Sequence, residues 1–338
     1  MRYRFARYYS RLLEPNTEPN AQLRIALHRI NRLEVNTAYP FFLNCYATYD
    51  EGNLSSDEFL GLISVIENFI VRRFVCGVPT NQLNKIFPTL YSQATKGKGN
   101  TLSDKVKAIL QKRGYPKDIE FRQRLVGTKL YGAGDRQRKT KLILESLEKS
   151  FGHKETVSFE DLTIEHVMPQ TLTDWWQNHL GEDWDVTYDL SLHTLGNLTL
   201  TAYNTELSND EYPIKQARLM NSHLEINKFF SDSECWRRED IERRGKELAE
   251  RCVSIWPFFG EDTVTNDGGE VTGKVPHTLW ILGQSFCVYS WRDVLENTLN
   301  TVAKLEPEKF DILLQDFPRL VSKDPTNYRA TSAKRGIC

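Results

Sequence analysis

The chain has 338 residues, 40% of them hydrophobic and 26% charged, which is enough apolar material for two or three domains with real cores. Its formal charge is -1, and its six cysteines (Cys45, Cys76, Cys235, Cys252, Cys287, Cys338) never fall at C-x-x-C spacing, which excludes a zinc knuckle or a redox motif and points to a reducing compartment. With no charged-then-apolar leader and no apolar run near the roughly 18 residues of a membrane span, the expectation is a soluble, cytoplasmic protein.

Residues 1 to about 150 read as helical. Leu23, Ile25, Leu27, Ile30 and Leu33, and then Phe59, Leu62, Ile63, Ile66 and Ile70, recur near the 3.6-residue period, and Ser55-x-x-Glu58 is a capping box for the second run. Further helices are predicted over Asn81 to Gln93, Ser103 to Lys112, Ile119 to Val126 and Arg136 to Ser150, with glycines and Pro116 between them. From Thr156 the pattern shifts to short β-branched runs, Thr156 to Phe159 and Leu162 to Val167, closed by Pro169. A short helix over Asp174 to Leu180 follows, then a strand pair over Leu195 to Thr201. Asn204 opens a helix or loop, Pro213 starts a helix over Ile214 to Met220, and a long charged helix runs from Arg237 to Trp256. Residues 257 to 277 have the glycine-rich, acidic composition of a linker. Beyond it, Leu279 to Tyr289 reads as a hairpin turning near Gly283-Gln284, Ser290 as the cap of a helix from Trp291 to Val302, and Pro307 to Leu314 as a last short helix.

These elements give a mainly α, α+β expectation. A helical domain over 1–152 binds DNA or a partner, a second domain follows over 153–257, a linker covers 258–277, and a small, cut-short α+β accessory domain covers 278–338. Charge adds one asymmetry. From Lys96 to Lys149 there are 15 Lys and Arg against 6 Asp and Glu, a local +9 that leaves -10 for the remainder. Such a stretch either holds a polyanion or is the solvated face of long helices.

The residues that carry chemistry lie in the second domain. Ile164-Glu-His-Val-Met-Pro-Gln170, His193-x-x-Gly196-Asn197-Leu198-Thr199-Leu200, Asn204, Ser208-Asn209, Lys215, Trp236 and Arg243 together resemble the C-terminal nuclease domain of GmrSD-type restriction enzymes, a variety of the HNH or His-metal finger of two strands and a helix around one metal. Upstream, Tyr39-Pro40-Phe-Phe-Leu, Ile66-Glu-x-x-Ile70-Val-Arg-Arg73, Leu83-Asn-Lys-Ile-Phe87 and Lys141-x-Ile143-Leu144-Glu145 look like that family's central helical region, so the resemblance covers most of residues 20 to 256. The segment from Trp280 looks like the small module that often follows.

The resemblance implies a metal-dependent DNA endonuclease in restriction of foreign or modified DNA, including phage DNA. His166 is then the general base, since an imidazole titrating near neutrality can take a proton from water. Glu165 and Asn204 are the ligands of one divalent ion, Mg²⁺ or Mn²⁺. The other reading of Glu165 is a solvent-facing strand residue. Glu165 and His166 are adjacent in a strand and point to opposite faces, so they share a site only where the strand ends or bulges. His193 and Asn197 join the catalytic set, His193 by orienting phosphate, joining the metal or bracing the loop, and Asn197 more by organising that loop than by touching substrate. Lys215, Lys139 and Lys141 are the expected phosphate contacts, against the alternative of exposed helical lysines. Trp175, Trp176, Trp184 and Tyr188 read as the miniature core of an insertion rather than as base-stacking residues.

Family members commonly begin with a ParB-like nucleotide-hydrolysing domain, absent from residues 1 to 20. Either a separate NTPase subunit supplies it, or the chain is a fragment, or the lineage has lost it. Cutting both strands with a single metal centre favours a homodimer. The rival readings are a catalytically silent DNA-binding or regulatory subunit partnering a separate NTPase, and an assembly scaffold with a vestigial nuclease.

Overall fold

In the computed structural model, which describes residues 2–97, 100–153, 157–260, 276, 278–281 and 284–305, eight helices come first. They are α1 (Arg2–Leu13), α2 (Ala21–Arg32), α3 (Tyr39–Asp50), α4 (Ser56–Val75), α5 (Leu83–Lys96), α6 (Leu102–Leu110), α7 (Asp118–Gly127) and α8 (Asp135–Ser150). Helix α4 is the hub. Its start is fixed by the expected capping box, Ser55 Oγ accepting from the Glu58 amide and the Glu58 carboxylate accepting from the Ser55 amide. It is buried almost all round, and α2, α3, α6 and α7 pack on it.

Next come β1 (Thr163–His166), α9 (Asp174–Leu180), α10 (Trp184–Ser191), β2 (Leu198–Thr201), α11 (Asn204–Leu207), α12 (Tyr212–Met220) and α13 (Arg238–Ile255). β1 and β2 are antiparallel, with Thr163 opposite Thr201, Ile164 opposite Leu200, Glu165 opposite Thr199 and His166 opposite Leu198. Both strands are shorter than expected. Residues 157–159 are irregular, and Leu195–Asn197 forms a single 3-10 turn before β2. Gly196 explains that turn: a Cβ there would stand 2.0 Å from the Ile241 carbonyl oxygen of α13, so only glycine lets the helix approach this closely. Helix α10 adds an element to the insertion, where the sequence pattern predicts none.

The expected boundary at 152/153 falls inside one compact unit, Met1–Asp262. The reason is a shared core: Ile164, Leu195, Leu198, Leu200, Leu248 and Trp256 belong to the same buried cluster as the apolar residues of α2 to α8. Polar stitches cross the same line. The buried Arg72 of α4 donates to the Trp256 carbonyl (2.7 Å) and pairs with Asp118. The Trp256 indole N–H donates to Glu67 (2.9 Å), and the Glu148 carboxylate of α8 accepts the amides of Glu225 and Ile226 (both 2.9 Å). A second cluster has Val167, Met168, Trp176, Tyr212 and Trp236 among its members. Trp176 is fully buried there among residues from outside the insertion, with Trp175 and Tyr188 partly buried against the cluster, so the four aromatics do not form a core of their own.

The second unit, Thr263–Cys338, contains the described hairpin β3 (Thr278–Ile281) and β4 (Gln284–Cys287) and helix α14 (Trp291–Leu305). Ser290 Oγ accepts from the Asp293 amide, as a cap should. Most of the expected linker and the helix over Pro307 to Leu314 lie outside the described residues. No helix among the described residues is long and apolar enough to cross a membrane.

Candidate active site at the end of strand β1

Side chains alternate along a strand, so β1 sends its two central candidates in opposite directions. Ile164 and His166 share a face with Leu198 and Leu200, the face that joins the helical core, whereas Thr163, Glu165, Thr199 and Thr201 share the other. The ladder also fixes what the strand edge offers. The Val167 amide donates to the Asn197 carbonyl at 3.0 Å, so bonded and unbonded pairs alternate back from there, and the carbonyls of Ile164 and His166 face the open edge. Two side chains cap that edge: Asn204 Nδ2 donates to the Ile164 carbonyl at 3.2 Å, and Lys215 Nζ to the His166 carbonyl at 2.8 Å.

On one face, His166 meets His193, Nε2 to Nδ1 at 3.0 Å. The Tyr131 ring stands edge-on to His166 (centroids 4.6 Å apart, 89°) and roughly parallel to His193 (5.7 Å, 24°). His166 is 4% exposed, and burial, followed by the nearby His193 and Lys215, pushes its basicity down to about 3. It is therefore a neutral ring at pH 7. His193 is more open, and its basicity is also lowered, by burial first and then by the charge of Lys129. The His193 carbonyl accepts the amides of Leu130 (2.8 Å) and Tyr131 (3.4 Å), which ties this loop residue to the chain between α7 and α8.

On the other face, Glu165 Oε1 lies 2.5 Å from Lys215 Nζ. Lys215 on α12 is 0% exposed, so the expectation of a phosphate contact there is corrected: its ammonium is enclosed between a carboxylate and a backbone carbonyl. Desolvation raises the Glu165 carboxyl and lowers the Lys215 ammonium, while their mutual attraction opposes both shifts. Lys139 and Lys141 are likewise turned away from a substrate role. Lys139 is buried, pairs with Asp135 and lies 5.4 Å from the Phe74 ring centroid, and Lys141 donates to the Phe159 carbonyl at 3.1 Å.

Asn197 is corrected from the catalytic set to a brace. It is fully buried, its Oδ1 accepts the Met168 amide (2.8 Å) and the Trp236 indole N–H (3.0 Å), and its Nδ2 donates to the carbonyls of Met168 (3.0 Å) and Leu192 (2.9 Å). No capacity remains for a substrate. Buried Arg244 braces the same turn from α13, donating to the carbonyls of Gly196 (2.8 Å) and Leu198 (2.7 Å).

Among the described residues, no group of three or more His, Cys, Asp or Glu side chains is arranged to hold a metal. A hard ion such as Mg²⁺ needs less, because it binds through one or two oxygen ligands and keeps its waters. At the β1 edge the candidate oxygen donors are the Asn204 amide, whose nitrogen is engaged with the Ile164 carbonyl, and the Glu165 carboxylate, whose Oε1 is held by Lys215. Tyr131 and Lys129 went unrecognised in the sequence. Their only signal was a position just ahead of Gly132 and Gly134 within the basic stretch.

A two-stranded antiparallel sheet thus carries, at the end of its first strand, the contact between buried His166 and half-buried His193. Residues 115–251 match the family model for the C-terminal domain of GmrSD restriction endonucleases. The match begins before α7 and so spans the same 152/153 line that the core crosses. No curated protein matches the chain.

Proposed function

We propose that this protein is a metal-dependent DNA endonuclease of the HNH, or His-metal finger, type, acting in the restriction of foreign or modified DNA. The observation that carries the reading is the contact of His166 with His193 at the end of β1, inside the matched domain. The family's description as restriction endonucleases supports DNA as the substrate.

The pair restricts which nitrogen can do what. A neutral imidazole has one N–H and one lone pair. For His166 to take a proton from water, its Nε2 must carry the hydrogen and donate to His193 Nδ1, which leaves the Nδ1 lone pair of His166 for the water. His193 then carries its own hydrogen on Nε2 as a donor for a phosphate oxygen. The Tyr131 ring packs edge-on against His166 and roughly parallel to His193, which supports both rings in place. Glu165 and Asn204 would hold the divalent ion, whose chemistry there is to offset charge on the scissile phosphate and the leaving oxygen.

Supercoiled plasmid incubated with the full chain in Mg²⁺ or Mn²⁺ tests this. The expected result is nicking or linearisation that EDTA stops and that His166→Ala lowers by at least about a hundredfold with an unaltered circular dichroism spectrum. Cleavage indifferent to that substitution overturns the mechanism. One observation favours the alternative of a catalytically silent DNA-binding or regulatory subunit, namely that Lys215 already neutralises Glu165. DNA binding without cleavage in either metal is its outcome.

A further inference from the structure

With Lys215 enclosed and Lys139 and Lys141 engaged elsewhere, none of the three expected phosphate contacts presents an unengaged ammonium to a substrate at the histidine pair. One candidate stands on the loop between α7 and α8. Its backbone is pinned from both sides: the amides of Leu130 and Tyr131 hold the His193 carbonyl, Thr140 Oγ1 of α8 donates to the Leu130 carbonyl (2.9 Å), and Arg136 Nη1 donates to the Lys129 carbonyl (2.6 Å). Leu130 is buried, and Tyr131 lies against both imidazoles. Lys129 therefore leaves the backbone immediately beside the residues that hold His193, close enough for its charge to act on that ring.

Lys129 is more exposed than the other three lysines. Its side chain is 46% exposed, and its Nζ lies 2.8 Å from Oδ1 of Asp189, itself 41% exposed on α10, four residues before His193. An ion pair this open to solvent contributes little to stability, and its partners exchange readily. A phosphodiester is a strong acceptor for the same ammonium, and the exchange releases counterions from DNA.

We infer that Lys129 is a substrate-phosphate contact of this site, held in place by the loop that braces His193 and kept by Asp189 until DNA displaces the carboxylate. The inference rests on the nuclease reading, and it gives the two members of the ion pair opposite effects. Lys129 helps DNA bind, and Asp189 competes with DNA for Lys129. A purely structural pair would give both residues the same effect.

The test measures affinity of the full chain for a short fluorescein-labelled duplex by anisotropy, in Ca²⁺ across a salt series, alongside plasmid cleavage in Mg²⁺ or Mn²⁺. Lys129→Ala is expected to weaken binding about tenfold and to flatten the log-affinity against log-salt slope by about one, with Lys129→Arg retaining most of both. Asp189→Asn is expected to tighten binding about two- to threefold. In cleavage, the Lys129→Ala effect falls on KM, whereas His166→Ala acts on kcat. Equal weakening by Lys129→Ala and Asp189→Asn, or an unaltered salt slope in Lys129→Ala, overturns the inference while leaving the nuclease reading intact. Absence of cleavage by the wild-type chain sinks the nuclease reading instead, and the binding series still decides the role of Lys129.

Discussion

Asn197 shows how a residue can be indispensable to a site without touching a substrate. Four hydrogen bonds converge on its amide, two accepted and two donated, and they tie Met168, Leu192 and Trp236 to the turn that opens β2. Truncation leaves buried donors and carbonyls unpaired, each costing about 1–3 kcal/mol, so Asn197→Ala is expected to lose about 3 kcal/mol or more in urea denaturation. Cleavage per folded molecule should fall far less than in His166→Ala; an equal loss at full folding would return Asn197 to the catalytic set. The part of this that is legible in sequence is the residue type. Asparagine after glycine in Gly196-Asn197-Leu198 suggests a side chain that both donates and accepts to backbone, and the structure has it doing so. Lys215 was illegible for the opposite reason. Nothing local distinguishes a buried helical lysine from a solvated one, and its carboxylate partner lies 50 positions earlier in the chain.

At the level of elements, the finger depends on β1 being an edge strand whose outward carbonyls are capped by Asn204 and Lys215 from the segment after β2. The Glu165–Lys215 pair fastens α12 to that edge, and both side chains are almost wholly buried. Removing one partner leaves the other as an uncompensated buried charge, so Lys215→Met is expected to destabilise by about 3–5 kcal/mol, and combining it with Glu165→Gln should restore part of the loss. Denaturation of the two single variants and the double variant measures the coupling, and additive losses would mean the two groups do not depend on each other. The sequence pattern located β1 because β-branched residues run up to Pro169, and it located α12 from Pro213 at its first turn. It overextended β2, because the apolar alternation from Leu195 cannot reveal that α13 presses on Gly196 and curls the chain into a turn there. Such a contact depends on a helix nearly fifty residues further on.

Over the whole molecule, the sequence suggested a basic helical domain joined to a separate nuclease, and both parts of that picture change together. Part of the positive stretch is paired within the chain, Arg122 with Glu250 of α13 (2.5 Å), Arg138 with Glu34 and Lys139 with Asp135, and of these cations Lys139 is buried. The charge pattern alone cannot separate cations that fasten helices to each other from cations that meet a polyanion. Apolar continuity is equally hidden, because the periodicity of α4 says that it is buried but not that the finger's Leu198 and Leu200 share its core. This has a direct consequence for dissection. A piece covering residues 153–262 would expose Ile164, Leu195, Leu198 and Leu200, strip Trp256 of its bonds from Arg72 and to Glu67, and leave the amides of Glu225 and Ile226 without Glu148. Because several such losses exceed the usual margin of stability, about 5–15 kcal/mol, that piece is expected to lack dispersed amide NMR signals and a cooperative melt. The piece covering residues 1–262 keeps the shared core and is expected to melt in one transition followed identically by circular dichroism and tryptophan fluorescence. A sharp, independent melt of the 153–262 piece would show that the finger stabilises itself and that the helices merely adjoin it.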